Sequence, residues 1–356
     1  MKKIRVGVIF GGKSGEHEVS LVSASSIINA IDKRKYEVVE IGITKDGRWV
    51  VEGKPLADLK RGTPKNPTSF PPEVLLSLDV AFPVLHGPFG EDGTIQGLFE
   101  MLDLPYVGAG VLASAIAMDK ATAKRLFRDA GLPVVPHIVL SRSRWEEEPD
   151  RALDEIEGAL GYPCFVKPSA LGSSVGITKV KTRGDLAPAI KLAFEFDFKV
   201  LIEKGIPARE IECSVLGNEE LIVSPPGEVI PEREFYDYYD KYVGGKTKFE
   251  IPAKLPKEKI EEVRKIARTA YKLIDCAGLA RVDFLLDKEN GKLYLSELNT
   301  MPGFTEISMY PKLLALSGIP YPELIDRLIT LGIERYNMRK RLRYTITPPE
   351  DWYRKR

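Results

Sequence analysis

Arg281, Asp283, Glu297 and Asn299 alternate with apolar residues in two short runs, 281–287 and 292–299, that flank Asn290-Gly291. Alternation on either side of an Asn-Gly turn signal predicts two antiparallel strands joined as a hairpin. Side chains two apart in a strand share a face, so Arg281 points with Asp283, and Glu297 with Asn299. A turn centred near residue 290 then sets Asp283 opposite Glu297 and Arg281 opposite Asn299. Two carboxylates facing each other across a ladder repel unless positive charge lies between them. An oxygen-only set of Asp, Glu and Asn suits Mg2+, a hard cation that completes its shell with water and substrate phosphates. The same spacing also fits a solvent-facing pair of strands on which Arg281 neutralises one acid.

A second group of residues could hold an anion. Cys164-Phe-Val-Lys167 reads as a strand, and Pro168-Ser-Ala-Leu-Gly-Ser-Ser-Val-Gly176 follows as a loop of small residues and backbone donors. Such a loop can fold over phosphates while Lys167 supplies a point charge, although Ser/Gly loops also serve as plain turns. Val200-Leu-Ile-Glu203-Lys204 is another strand ending in polar residues, and Lys120 opens a helix able to approach the same anion. Between residues 232 and 251, Phe235-Tyr-Asp-Tyr-Tyr-Asp-Lys241-Tyr242-Val-Gly-Gly mixes aromatics, charges and glycines. That composition suits a closing lid that excludes water, or an aromatic hairpin packed on the core.

These groups need a scaffold, and the chain is long enough for two or three domains at 356 residues. Ile4 to Phe10 reads as a buried strand ending at glycines, Val19 to Ile31 as a helix and Tyr36 to Ile43 as a strand. This βαβ start predicts an open, mostly parallel α/β sheet. Pro64 to Pro72 is a surface loop, Val80 to Leu85 the next buried strand, and Asp119 caps a helix that ends at Gly131-Leu132-Pro133. The last twenty residues read as a terminal helix and tail. No fixed-period repeat is present.

Gly7-Val-Ile-Phe-Gly-Gly-Lys13-Ser14 fits the phosphate-loop expression G-x-x-x-x-G-K-[ST]. The context argues against that reading, because Gly7 to Phe10 belong to the strand and cannot wrap donors around an anion. The glycines instead let the chain approach a small ligand at the carboxyl end of the strand, with Glu16 placed to hold an ammonium group or to serve as an ordinary helix-start acid.

A formal charge of +1 gives no bulk electrostatic case for nucleic acid or an anionic membrane. Cys164, Cys213 and Cys276 are odd in number and lack ligand spacing, which fits reduced thiols in a cytosol. The basic start, Lys2, Lys3 and Arg5, leads into an apolar run too short for a signal peptide, and no run approaches membrane-spanning length. These features predict a soluble cytoplasmic protein.

Taken in order, the motifs resemble the ATP-grasp superfamily, and within it the D-alanine-D-alanine ligase family. The resemblance spans nearly the whole chain. It rests on Gly11-Gly-Lys-Ser-Gly-Glu16-His-Glu-Val-Ser-Leu21, His86-Gly-Pro-Phe-Gly-Glu-Asp-Gly93, Val166-Lys-Pro-Ser with Gly172-Ser-Ser-Val-Gly176, Phe235-Tyr-Asp-Tyr with Lys241-Tyr242, Arg281-Val-Asp283, and Glu297-Leu-Asn-Thr-Met-Pro-Gly303. It implies an N-terminal α/β domain over 1–119 that binds the first D-alanine. Two α+β ATP-grasp subdomains follow, over 120–206 and 207–356, and sandwich the nucleotide.

The implied reaction phosphorylates one D-alanine with ATP and lets the amine of a second attack the acyl phosphate. The product is a dipeptide for peptidoglycan precursors. Carried over by motif, Lys120, Lys167 and Lys241 hold phosphates, Glu203 and Lys204 line the adenine, Glu210 reaches the ribose, and Asp283, Glu297 and Asn299 hold two Mg2+ or Mn2+ ions. Glu16, Ser173 and Tyr242 form a hydrogen-bonded set at the first D-alanine. Arg281 and the Gly303 amide face the oxyanion, Ser308 and Met309 take the second substrate, and His86 lies near both. Lys13 and Phe89 carry no role. The family pattern leaves room for a monovalent cation and favours a homodimer. Lys241-Tyr242 favours an amine nucleophile over D-lactate, whereas D-serine differs from D-alanine by one hydroxyl and stays open. Two other readings are a different ATP-grasp ligase, which would not need Glu16, His86 and Tyr242, and an ATP-binding regulator, which would not need Arg281 and the metal set.

Overall fold

The computed structural model describes residues 2–172, 175–230 and 247–347. Three sheets organise it. The first contains β1 (Ile4–Gly11), β2 (Tyr36–Ile43), β3 (Trp49–Val50) and β4 (Val80–Val84) in the order β3-β2-β1-β4. β1 pairs in parallel with both β2 and β4, and only β3 is antiparallel, as the βαβ opening predicts. Helix α1 (His17–Ala30) is the crossover; α2 (Pro55–Lys60), α3 (Pro72–Leu76), α4 (Thr94–Met101) and α5 (Val111–Met118) follow.

The second sheet is antiparallel, with β5 (His137–Ser141), β6 (Cys164–Pro168), β7 (Thr178–Val180) and β8 (Lys199–Lys204) in the order β5-β8-β6-β7. It is preceded by α6 (Lys120–Asp129) and packed by α7 (Arg142–Glu147), α8 (Pro149–Leu160) and α9 (Arg183–Ala193). Asp119 caps α6 by accepting from the Thr122 amide at 3.0 Å, and Gly131 follows at φ +75, so both ends fall where the sequence places them.

The third sheet holds β9 (Ala208–Leu216), β10 (Ile222–Val223), β11 (Gly227–Ile230), β12 (Lys248–Glu250), β13 (Leu279–Asp287) and β14 (Leu293–Asn299), ordered β12-β11-β9-β13-β14 with β10 on β9. Helix α10 (Lys257–Leu273) covers it, and α11 (Met309–Leu316) and α12 (Tyr321–Arg339) complete the described chain. The terminal helix therefore lies mostly upstream of the last twenty residues, because its apolar stripe (Leu324, Ile325, Leu328, Ile329) buries against the first sheet in one core with Val6, Val8 and Val84. Lys340 to Thr347, which follow it, are exposed.

One interaction fixes where the first site loop begins. Ser20 on α1 accepts from the Gly11 amide at 2.7 Å and donates to the Val84 carbonyl, joining the carboxyl ends of β1 and β4 inside the protein. Ser20→Ala strips a buried N–H and a buried C=O of this partner and should cost about 1–3 kcal/mol. A thermal or urea denaturation midpoint equal to the parent's would refute that account.

Candidate active site

Gly11 and Gly12 end β1 at φ +90 and +100, and a Cβ at Gly11 would stand 2.1 Å from the Ile43 carbonyl oxygen. Only glycine allows the chain to turn this close to β2. Gly7 to Phe10 are paired with both β2 and β4, and the Gly11 amide donates to Ser20 Oγ, so these donors are engaged and the phosphate-loop match is a coincidence of sequence. The turn delivers Glu16 to the start of α1. A Cβ at Gly87 would lie 2.9 Å from Glu16 Oε2, and one at Gly172 would lie 2.8 Å from the same atom. The carboxylate thus sits where the loop after His86 meets the glycine-rich loop of the second sheet.

His86 is buried beside it. Its Nδ1 lies 2.9 Å from the Met301 carbonyl, its Nε2 lies 3.0 Å from Ser23 Oγ, and Glu91 stands 3.7 Å from Nδ1. Burial pulls the imidazole pKa down, but the Glu91 and Glu16 carboxylates and the Met301 carbonyl outweigh it and leave it raised. Burial also raises the Glu91 carboxyl, with His86 opposing. Glu91 is a site residue to which the sequence reading gave no role, although it sits inside the quoted His86 motif.

On the second sheet, α6 starts against the glycine-rich loop. The Lys120 amide donates to the Ser169 carbonyl at 2.9 Å, and Lys120 Nζ donates to the Leu171 carbonyl at 2.8 Å while lying 3.3 Å from Glu297. Lys167 projects from the end of β6 and pairs with Glu203 on β8. Burial works against the Lys167 ammonium, but Glu203, with Glu297 and Glu210, raises its pKa. The second oxygen of Glu203 lies 2.7 Å from Lys124, a fully buried lysine on α6. Lys204 is exposed at the end of β8. Sequence reasoning passed over Lys124; the signal was a lysine in the buried stripe of α6 with Ala121 and Phe127.

The predicted hairpin register is the observed one: Arg281 pairs with Asn299 and Asp283 with Glu297, and a bulge follows between Asp283 and Phe284. The bulge leaves the matched pairs at the site end undisturbed. Arg281 donates to both Asp283 oxygens, at 2.7 and 2.6 Å, and lies 3.2 Å from Glu212 on β9. Glu212 also faces Asp283 across β9–β13, a neighbour visible only once β9 is placed. Burial opposes the guanidinium charge, yet Asp283 and Glu212 hold its pKa well above the ordinary value. Asn299 Oδ1 accepts from the Met301 amide at 3.0 Å. Beyond it, a Cβ on Gly303 would stand 3.5 Å from Ser308 Oγ, and Ser308 Oγ accepts from the Thr305 amide at 3.1 Å. The Met309 side chain is buried with Val229 and Leu313, so its backbone is the part that can meet a ligand. Ser173, Lys241 and Tyr242, with most of the expected lid, lie outside the described residues.

Among the described residues no group of three or more His, Cys, Asp or Glu side chains is gathered around one ion position. The donor chemistry nevertheless fits a hard divalent cation, since Asp283 faces Glu297 with Asn299 one turn of the pleat away and every donor is oxygen. Arg281 and Lys120 supply the positive charge that this acid pair requires.

The Glu203 carboxyl shows the electrostatics most clearly. Burial would raise its pKa, but Lys124 and Lys167 hold it at about 2, below the ordinary 4.5. A carboxyl with a depressed folded pKa contributes stability that is whole above the unfolded value and lost as pH falls through the folded one, here from 4.5 toward about 2. Glu203→Gln, which strands two buried lysines, should melt below the parent at neutral pH, and the gap should close across that acid interval. A gap independent of pH would refute the pairing.

Residues 5–109 match the family model described as D-ala D-ala ligase N-terminus, and residues 126–330 match D-ala D-ala ligase C-terminus. A D-alanine-D-alanine ligase of Thermoanaerobacter sp. is 54% identical over 355 residues, covering 95% of this chain and 98% of its own. That of Caldicellulosiruptor bescii is 49% identical over 365 residues, covering 97% and 99%. Among solved structures, the VanG D-Ala:D-Ser ligase from Enterococcus faecalis superposes with TM-score 0.82 at 38% identity, covering 93% of this chain and 100% of that one. The D-alanine-D-alanine ligase from Coxiella burnetii gives TM-score 0.81 at 36% identity, covering 95% and 98%. With both halves matched and half of all residues shared along the full length of such relatives, the chain belongs to the D-alanine-D-alanine ligase family and has its ATP-grasp fold.

Proposed function

We propose that this chain joins two D-alanines at the expense of ATP, through a D-alanyl phosphate, giving D-alanyl-D-alanine, ADP and phosphate for peptidoglycan precursors. The observation that carries the reading is convergence: Lys120 lies 3.3 Å from Glu297 on the face of the third sheet that holds Arg281, Asp283 and Asn299, Lys167 is near enough to feel the Glu297 charge, and Glu16 and His86 arrive from the first sheet. In this reading residues 1–119 bind the first D-alanine, and 120–206 and 207–356 close on the nucleotide.

Phosphoryl transfer demands positioning and charge neutralisation more than covalent help. Lys120, already bonded to the glycine-rich loop, and Lys167 carry cationic charge to the phosphates, with Lys241 joining from the lid. Asp283, Glu297 and Asn299 would hold two Mg2+ or Mn2+ ions, which when bound neutralise phosphate oxygens. Glu203 and Lys204 line the adenine, and Glu210 reaches the ribose.

Glu16 takes the ammonium of the first D-alanine between two glycines that leave it room, in a set with Ser173 and Tyr242. Ser308 and the first amides of α11, Met309 among them, lack intrahelical partners and suit the carboxylate of the second. Its neutral amine attacks the acyl phosphate carbonyl. The oxyanion that forms is stabilised by Arg281 and the Gly303 amide, and it collapses by breaking the acyl C–O bond to phosphate as the attacking nitrogen gives up a proton. His86 stands beside both amino acids.

No helix among the described residues is long and apolar enough to cross a membrane, and the three cysteines are free and buried, which supports a cytoplasmic setting. A homodimer and room for a monovalent cation belong to the same reading.

The test is phosphate release from ATP and Mg2+ with D-alanine, L-alanine, D-serine or D-lactate, alone and paired with D-alanine, the products being identified by mass. D-alanyl-D-alanine is the expected product, and Arg281→Met should lower kcat by about a hundredfold or more, together with a lower melting temperature because Asp283 and Glu212 lose their counter-charge. ATP binding without turnover of any pair would sink the ligase assignment, and preferred formation of D-alanyl-D-serine would reassign the second substrate.

A further inference from the structure

Lys124 plays no part in the chemistry above, yet it is 1% exposed and ranks among the largest fully buried side chains. It follows Lys120 by one helical turn on α6, so the two lysines share a face. Its Nζ donates to the Ser296 carbonyl of β14 at 2.8 Å and stands 2.7 Å from Glu203 Oε1 on β8. One ammonium thus joins the helix that carries Lys120, the strand that carries Glu203 and the strand that carries Glu297.

Burying an ammonium is expensive, and a well-packed apolar side chain of similar size is often as stable or more so. The charge therefore calls for a reason, and the count of charges supplies one. Glu203, a single carboxylate, is contacted by two lysines, one at each oxygen. One of them, Lys167, reaches the end of β6 beside the glycine-rich loop and is the lysine that a nucleotide phosphate would draw away. With Lys167 as its sole partner, Glu203 would either keep that lysine from the phosphate or be left as a bare buried anion.

We propose that Lys124 is a positioning residue, the standing counter-cation of Glu203 that frees Lys167 for the phosphates of the nucleotide. The inference rests on the nucleotide-binding part of the function proposed above. It makes Lys124 neither a ligand to the nucleotide nor a stabilising pair alone; its effect passes through Lys167.

The experiment is calorimetric titration of the full chain with MgATP. Lys124→Met should weaken binding by about tenfold or more, because Lys167 stays bound to Glu203, whereas Lys124→Arg should remain within about threefold of the parent. In a Lys167→Met background the Lys124→Met change should cost almost nothing further, the non-additivity expected of two residues acting on one carboxylate. A merely structural lysine would lower the melting temperature and leave the two losses additive, and that result, or unchanged affinity in Lys124→Met, overturns the proposal. If Lys124→Met alone does not fold, the comparison moves to a Glu203→Gln background, which has no carboxylate to neutralise. There Lys124→Met should fold and cost less than about threefold, and a tenfold loss would overturn the proposal. The titration uses no D-alanine, so intact MgATP affinities without dipeptide product would sink the ligase assignment alone.

Discussion

Like charges are brought together where the second and third sheets meet, and this protein is arranged around the cost of doing so. Asp283, Glu297 and Glu212 crowd one face of the third sheet, and that face is tenable because Arg281 reaches two of these acids and Lys120 approaches the third. Lys120, Lys124 and Lys167 crowd the facing region of the second sheet and are held by Glu203 and by loop and strand carbonyls. Each cluster borrows its counter-charge from the other sheet or from its own centre. The two sheets are therefore joined at this point through Lys120 and Lys124, which reach Glu297 and the Ser296 carbonyl of β14.

Glycine gives this charge arrangement its third wall. Gly87 and Gly172 come from different sheets, and both lie so near the Glu16 carboxylate that a single methyl at either would intrude. A negative charge is thereby placed where loops of the first and second sheets meet, with glycine backbone on two of its sides. The α12 stripe, packed into the same core as β1 and β4, keeps the first sheet seated against the C-terminal part of the chain that supplies Gly303 and Ser308. The His86–Met301 and Ser23–Phe304 hydrogen bonds tie the same two parts together.

Much of this was legible from residues alone, and for physical reasons. The Arg281–Asn299 and Asp283–Glu297 pairs followed from the strand period of two and a turn at Asn290-Gly291, whereas the bulge directly after Asp283, past which the pairing shifts by one residue, has no signal in the sequence. The α6 boundaries followed from a cap at Asp119 and a glycine at the far end, both local signals. What escaped were Lys124, Glu212 and Glu91, whose significance depends on neighbours distant in sequence: Ser296 and Glu203, Arg281 and Asp283, and His86 packed under Met301. A lysine in an apolar stripe can snorkel to water or be buried against a carboxylate, and helix periodicity does not distinguish the two.

Local chemistry in the sequence determined the elements, the pairing of Asp283 with Glu297, the two glycine-rich turns and, through motifs spread along nearly the whole chain, the family. These are short-range consequences of residue type, spacing and backbone freedom. Tertiary structure alone decided which charges neutralise which: that Glu203 is shared by two lysines, that Arg281 serves two acids, and that the terminal helix closes onto the first sheet. Coulomb energy and burial depend on distances in space between residues far apart along the chain, and only the folded packing sets those distances.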